Sequence, residues 1–223
     1  MAGQKSHPLF ARMYTRLRPA MDRQGAAGHR RRLLDGLAGR IVEVGSGDGA
    51  NLALYPAAVT SVVAVEPEPY LRAQTQRQAA EVASRLEVEV ADAAAERLPI
   101  ADGSVDGVVV SLVLCSVSDQ QAALKEAFRV LRPGGQLRFY EHVAAPRGTR
   151  LAKVQRIGDA TLWPLMTGGC HASRNTETAI EAAGFVIDEI ERFAFPPGQA
   201  TPASPHILGR ATRPAGGDEG SSR

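Results

Sequence analysis

Cysteine is scarce. The 223 residues hold two, Cys115 and Cys170, which by themselves build neither a disulfide framework nor a zinc cage. No metal site is therefore expected, and a reducing compartment fits best, with the cytoplasm as the expected location. Long apolar runs are missing too. Nothing approaches the roughly 20 residues that span a bilayer, and the polar opening, Met1 to His7, does not resemble a signal peptide. Excess charge is also absent. A formal net charge of +2 is too small to imply a nucleic-acid partner. Internal repeats are lacking. What remains is globular in composition, with 44% apolar and 22% charged residues. The length suits one domain with decorations and a substantial core. Only Ala211 to Arg223, rich in Gly, Ser, Pro and charge, reads as unable to offset its ordering entropy. Residues 214–223 are expected to form a disordered tail.

The most informative stretch is Arg40 to Asn51, an apolar strand running into Gly45-Ser46-Gly47-Asp48-Gly49. Alternating glycines tolerate positive φ and leave room for a ligand against the main chain. A helix starting near Gly49 would aim free N–H groups over the turn. A dinucleotide site needs G-x-G-x-x-G; the spacing here is G-x-G-x-G, with Glu43 two residues before it. That acid would repel a diphosphate and suit a cationic amino group. A second strand, Ser61 to Val65, ends in Glu66-Pro67, where a carboxylate can accept both ribose hydroxyls. Together these describe a pocket for an adenosine cofactor.

Apolar strands and amphipathic helices alternate after the turn, which predicts βαβ units and a parallel sheet. Strands are expected at Arg40–Val44, Ser61–Val65, Leu86–Ala91, Val105–Leu114, Gln136–His142, Phe185–Phe193 and His206–Arg213. Helices are expected at Ala50–Tyr55, Glu68–Ala83, Asp119–Leu131 and Thr176–Ala183. Arg132-Pro133-Gly134-Gly135 closes the third of these, and Gly184 caps the fourth. Two more helices, Leu9–Arg18 and Ala26–Leu37, precede the first strand; Leu9, Phe10, Met13 and Leu17 share one face, as a lid would require. Arg147 to Thr167, with Leu151, Val154, Ile157 and Leu162 at helical spacing, reads as an inserted helix over the carboxyl edge of the sheet. Residues 1–40 carry nine basic groups against Asp22 and Asp35. Arg147, Arg150, Lys153 and Arg156 recur every three residues. Each set reads as a solvated face, with an acidic substrate or weak peripheral contact with an anionic membrane as the alternative.

His142 ends the fifth strand, where open sheets border their crevice, and is the best candidate for an assisting base; a hydrogen bond to a neighbouring loop is its structural alternative. Asp159 and Trp163, at i and i+4, would present a carboxylate and a ring to an acceptor, or serve capping and packing. Cys115 reads as a small buried filler, and Cys170, beside His171, has little claim as a nucleophile. Asp106, at the opposite end of its strand from the crevice, reads as structural.

Several strings then point to a family. Glu43-Val44-Gly45-Ser46-Gly47-Asp48-Gly49, Glu66, Leu98-Pro99 with Asp102-Gly103-Ser104-Val105-Asp106, and Arg129-Val130-Leu131-Arg132-Pro133-Gly134-Gly135 resemble the marks of class I S-adenosylmethionine-dependent methyltransferases. Asn51 with Tyr55-Pro56, Leu112 to Val117, Glu141-His142-Val143-Ala144, Gln155 with Asp159 and Trp163, Gly169-Cys170, and Pro205-His206-Ile207 with Gly209 are similar to the methyltransferase-like seven group. Those are alkyl-thiol methyltransferases of animal membranes, with small bacterial relatives. The resemblance covers residues 40 to 213. It implies an α/β, Rossmann-like, seven-stranded and mostly parallel sheet in the order 3-2-1-4-5-7-6 with the last strand antiparallel. Around a methyltransferase domain at 40–213 it places N-terminal lid helices at 1–39 and a helical insertion after the fifth strand at 147–172. It implies S-adenosyl-L-methionine as cofactor, contacted by Glu43, Gly45, Ser46, Gly47, Gly49, Asn51, Glu66, Pro67, Asp92, Ala95 and Leu112. Tyr14 resembles the lid aromatic that approaches the sulfonium. Two departures stand out. The animal proteins carry an N-terminal hydrophobic anchor where this chain has an arginine-rich segment. The usual adenine-facing acid before an alanine is either Asp92 or has become Ala94.

The implied reaction is in-line methyl transfer to a small molecule, with thiol sulfur as the leading acceptor. A free thiol has a pKa of about 8.5, so little basic assistance is needed. The alternatives are an oxygen, nitrogen or carbon acceptor in a quinone, phospholipid headgroup or secondary metabolite, and a cofactor-binding regulator without turnover.

Overall fold

In the computed structural model, residues 8–198 and 201–215 are described. The chain forms α1 (Pro8–Met21), a wide turn at Asp22–Ala26, α2 (Ala27–Leu34), β1 (Gly39–Val44), a 3-10 turn at Leu52–Leu54, β2 (Val59–Val65), α3 (Pro69–Val82) and β3 (Glu87–Ala91). There follow β4 (Val105–Ser111), α4 (Gln120–Val130), β5 (Leu131–His142), α5 (Arg150–Asp159), α6 (Trp163–Met166), α7 (Thr176–Ala182), β6 (Val186–Ala194) and β7 (Pro205–Thr212). One seven-stranded sheet runs β3-β2-β1-β4-β5-β7-β6, as expected. The first five strands pair in parallel, and β7 is antiparallel to both of its neighbours.

Strand periodicity divides the core. Val42, Val44, Val108, Val110, Leu137 and Phe139 face α4 and α7. Ile41, Val62, Val109 and Tyr140 pack with Leu33, Leu34, Leu52 and Tyr55 on the other face. The same alternation sets two buried polar residues. Glu43 lies on the side of Ile41, beneath the 3-10 turn. Glu141 and His142, adjacent in β5, go to opposite faces.

Five expectations need correction. No α-helix follows the glycine turn: Ala50–Tyr55 holds only the 3-10 turn. Its carbonyls are met from the side, because Arg85 donates to Leu52 and Tyr55, and Pro56 ends the run. Secondly, β5 starts at Leu131 rather than Gln136. Pairing with β4 shifts register across Val105 and Gly107, so Arg132 to Gly135 is a bulge. There Gly134 (φ 77°) donates to the Arg213 carbonyl. Thirdly, the insertion is two helices, with a turn between Asp159 and Trp163. Fourthly, Ala211 and Thr212 belong to β7; the rest of the expected tail, from residue 216, and Met1 to His7 lie outside the described residues. Finally, the apolar stripes are real but face outward: Leu9, Met13, Leu17, Val154, Ile157 and Leu162 are all exposed. Among the described residues no helix is long and apolar enough to cross a membrane.

Candidate active site

Three turns meet at the carboxyl edge of the sheet. After β1, the amides of Gly45 and Ser46 both donate to the Val65 carbonyl, at 2.8 and 3.0 Å, strapping the glycine turn to the end of β2. Gly45 and Gly47 are left-handed (φ 67° and 60°), a region costly for other residues. A Cβ at Gly45 would stand 2.5 Å from Val113, and one at Gly49 would stand 2.9 Å from Gln78 of α3. Gly45 therefore permits close approach of the turn after β4, and Gly49 close packing of α3. The Ser46 hydroxyl is engaged with Thr75 at 3.1 Å, and Thr75 donates to the Gly47 carbonyl. Pro67 offers its carbonyl to Arg72.

Glu66 is buried at the end of β2. Its carboxylate accepts the amides of Gly47 at 2.8 Å and Glu68 at 3.0 Å. Burial outweighs those two bonds and pushes the carboxyl up to about 7. Glu43 lies below the turn with both oxygens engaged, by Asn51 Nδ2 at 2.8 Å and the Tyr55 hydroxyl at 2.9 Å; burial raises it to about 7 as well. It thus braces Asn51 and Tyr55 beneath the turn. Among the described residues, the buried side-chain oxygens without a partner are Asn51 Oδ1 and Asp48 Oδ1. Asp48 gives its other oxygen to Arg18 of α1, and Arg18 also pairs with Asp22 at 2.7 Å. Sequence reading missed this pair: Arg18 looked like one of nine solvated cations, and its partner is 30 residues away.

The Tyr14 ring lies over the glycine turn. A Cβ at Gly47 would be 3.7 Å from its ring. Phe10 stacks beside Tyr14, with centroids 6.2 Å apart, and abuts Gly168 after α6. Helix α1 therefore spans from the glycine turn to the insertion.

The third turn follows β4. Leu112 has φ 60°, a strained setting for a branched residue of the kind that gathers at functional sites. The next three amides, of Val113, Leu114 and Cys115, all donate to Glu141 at 2.9 to 3.3 Å. Burial raises Glu141 to about 7 despite them. Its role was missed although its string had been noted, because a carboxylate organising a turn 26 residues back leaves no local signature.

His142 faces two sulfurs: Nδ1 is 3.7 Å from Cys115 Sγ and 3.5 Å from Cys170 Sγ. Its ring meets His206 edge-on at 4.5 Å. Burial pulls His142 down, but Cys115 and Glu141 outweigh it and the net shift is upward. His206 is pushed down to about 3 by burial, aided by His142.

Other expected residues are placed elsewhere. Asp159 accepts the amides of Ala172 and Ser173 at 2.9 and 2.8 Å and the Ser173 hydroxyl. It is a loop brace, and the turn after α5 separates it from Trp163. Ala95 is packed in the core. Asp92 is exposed and paired with Arg72 at 2.9 Å; it borders an open hollow of about 850 Å³ that none of the glycine-turn residues lines. Asp106 is structural as expected, accepting the Arg40 amide at 2.6 Å and pairing with Arg132. Arg147, Arg150, Lys153 and Arg156 are exposed; the buried residue of α5 is Gln155, which bonds Ala145, Val143 and Pro202.

Residues 42–139 match the family described as Methyltransferase domain. The chain is 39% identical to the mouse thiol S-methyltransferase TMT1B, over 81% of this chain and 74% of that protein. It is 37% identical to the human thiol S-methyltransferase TMT1A, over 78% and 70%. Among solved structures, the YcgJ protein of Bacillus subtilis superposes with a TM-score of 0.67 at 16% identity, over 85% of this chain and 98% of that one. That likeness concerns the fold.

Proposed function

The chain belongs to the class I S-adenosylmethionine-dependent methyltransferases, and from that premise we propose that its acceptor is the thiol sulfur of a small molecule. It is an enzyme of that class with S-adenosylmethionine as cofactor. The observation that carries the acceptor is the 37–39% identity to thiol S-methyltransferases over about four fifths of the chain.

The residues at the carboxyl edge fit the cofactor on their own chemistry. Glu66 keeps acceptor capacity for two ribose hydroxyls beyond its two amide bonds. Asp48 Oδ1 and Asn51 Oδ1 are buried acceptors in need of donors, suited to the ammonium of the methionyl group. Gly45 and Gly47 carry no side chain of their own, so Val113 and the Tyr14 ring come close to the turn, and Leu112 brings a strained backbone to the same rim. Tyr14 offers a ring face to a cationic sulfur. Bound there, the cofactor supplies an electrophilic methyl group. Residues 8–39 act as the lid in this reading, holding Tyr14 in place through the Arg18 pair with Asp48. The ribose and ammonium partners thus come from β1 and β2 and their turns, and the acceptor surface from the turn after β4, His142 and the insertion.

A thiolate acceptor suits such a site. Its charge is neutralised as the methyl is transferred, so a buried, low-dielectric edge favours the transition state over the ground state. The hydrogen bond with Cys170, with burial behind it, raises the Cys115 thiol, which argues against a methylated-enzyme intermediate there and for direct transfer. A reducing cytoplasm, which keeps Cys115 and Cys170 free, belongs to the same proposal.

The test is a panel of alkyl and aryl thiols, phenols, amines and phosphatidylethanolamine, incubated with enzyme and cofactor and read by a 14-dalton mass gain (one methyl replacing hydrogen, about 14). Thiols are expected to turn over fastest. Methylated phenols beside unmodified thiols would reject sulfur, and tight cofactor binding with no turnover on any member would favour a regulator.

A further inference from the structure

Cys115, His142 and Cys170 come from three separate segments: the turn after β4, the end of β5 and the loop after α6. Their ligand atoms all lie within 4.8 Å of one another. Neither cysteine has a disulfide partner and both are buried. We propose that these three side chains bind one Zn²⁺ ion and leave its fourth position open to an external thiolate.

The distances carry the first part. Zinc bonds of about 2.3 Å to sulfur and 2.0–2.1 Å to nitrogen in a tetrahedron place nitrogen about 3.5 Å from each sulfur. The two nitrogen–sulfur separations are 3.7 and 3.5 Å, close to that value, and the two sulfurs lie within 4.8 Å of each other. The same imidazole nitrogen serves both sulfurs, as a ligand set requires. The backbone around the cluster is also held. Cys115 N–H is anchored on Glu141, His171 N–H donates to the Cys115 carbonyl at 2.8 Å, and a Cβ at Gly169 would press on the Ser116 carbonyl at 3.2 Å. His206 flanks the His142 ring and fixes its plane.

Charge selects the ion. Two thiolates and a neutral imidazole balance a divalent cation, so the buried cluster gains no net charge to desolvate. Sulfur and imidazole ligands favour zinc over oxygen-seeking calcium or magnesium. Two cysteines alone were insufficient in the sequence; His142 completes the set only in space.

The open position is the pattern of catalytic rather than structural zinc, and this step rests on the thiol-acceptor reading above. The cluster and the glycine turn lie under one helix, since Phe10 abuts Gly168 and Tyr14 covers Gly47. An acceptor R–SH gives its proton to solvent and its sulfur takes the fourth position as thiolate. A sulfur lone pair then attacks the sulfonium methyl carbon. The cofactor's carbon–sulfur bond breaks with its electron pair going to the cofactor sulfur, leaving S-adenosylhomocysteine and the neutral thioether R–S–CH₃, which dissociates.

The test uses the full chain, reduced and stripped with a chelator, and titrated with Co²⁺ alone. Saturation at one ion per chain is expected, with thiolate-to-cobalt charge-transfer absorption in the near ultraviolet and strong visible bands of a tetrahedral site. Zn²⁺ should bleach them. Cys115→Ser and Cys170→Ser should lose the charge-transfer band while still binding cofactor by calorimetry, which shows that they fold; His171→Ala, next to the cluster, should keep it. No charge-transfer band in protein whose thiols are verified as reduced would overturn the ion site, as would a Cys115–Cys170 disulfide in the stripped, unreduced protein that persists when zinc is supplied. An alkyl thiol added to the cobalt form should shift its bands; no shift would overturn the open position. Zinc-loaded enzyme should methylate thiols at least tenfold faster than stripped enzyme, and equal rates would overturn the ion's part in transfer. Absence of thiol methylation by either form would instead reject the thiol acceptor, with the cobalt spectrum still deciding the ion.

Discussion

Around the glycine turn, acceptors and donors lie close and are tightly paired: Val65 takes two amides, Glu66 two more, and Glu43 holds Asn51 and Tyr55. Across the same edge, α1, α5 and α6 turn apolar side chains outward, with Leu9 83% and Ile157 67% exposed. Their inward side is held by polar braces such as Gln155 and Asp159. The first region is built for a ligand of fixed shape, with strained backbone and buried carboxylates held in place. The second is attached over it by side-chain braces together with backbone bonds such as His171 N–H to the Cys115 carbonyl.

Four measurements can break or sharpen that contrast. The largest effect is expected at Glu66. Each hydrogen bond from a hydroxyl to a carboxylate contributes about 1.5–3 kcal/mol, so Glu66→Ala should weaken S-adenosylmethionine binding about 100-fold or more by calorimetry. A change within about twofold would remove the carboxylate from the cofactor site. In the second region, Asp159→Ala strands the Ala172 and Ser173 amides. Stability should fall by about 2 kcal/mol, lowering the melting temperature by about 4–8 °C. Unchanged melting with lost activity would restore Asp159 as a reacting group.

A pH series tests the cofactor region without mutation. Glu43, Glu66 and Glu141 are each raised from 4.5 to about 7 by burial. A carboxyl raised in the folded state contributes stability that is fully present below its unfolded pKa and is lost as pH rises through the folded value. Stability from these three should therefore decline between about pH 4.5 and 7. Cofactor affinity should run the other way, because only ionised Glu66 accepts two hydroxyls: it should climb by up to about tenfold per pH unit below 7 and level off above. Glu66→Gln should flatten that rise, and a rise that persists in the variant would place the titrating group elsewhere. The smallest effect is expected on the outward stripes. Leu17→Ser and Ile157→Ser should change stability by no more than about 0.5 kcal/mol, against about 2–5 kcal/mol for Leu33→Ala in the core; a large loss at Ile157 would mean that the stripe is covered.

Much of this was legible along the chain because it is local. Apolar runs separated by helices of regular period gave the strands to within a few residues, and glycine spacing with an acid two residues before and another at the next strand end marked the turn that the structure brings against Glu66. Helical period located the stripes of α1 and α5 but not what they face, since periodicity defines a face and not its neighbour. Asp159 and Trp163 looked like a pair only while the helix was assumed to continue between them. Arg18, Asp48 and Glu141 were passed over because their partners are 26 to 30 residues away.

The sequence by itself determined the order of elements, the parallel sheet and the glycine turn at its carboxyl edge, because strand alternation and backbone freedom at glycine act over a few residues. Tertiary structure alone decided that Glu43 braces while Asp48 and Asn51 present free oxygens, and that two cysteines 55 positions apart close on one histidine. Those outcomes depend on which face each strand turns to its neighbours and on where the inserted helices come to rest, and packing across the whole sheet sets both.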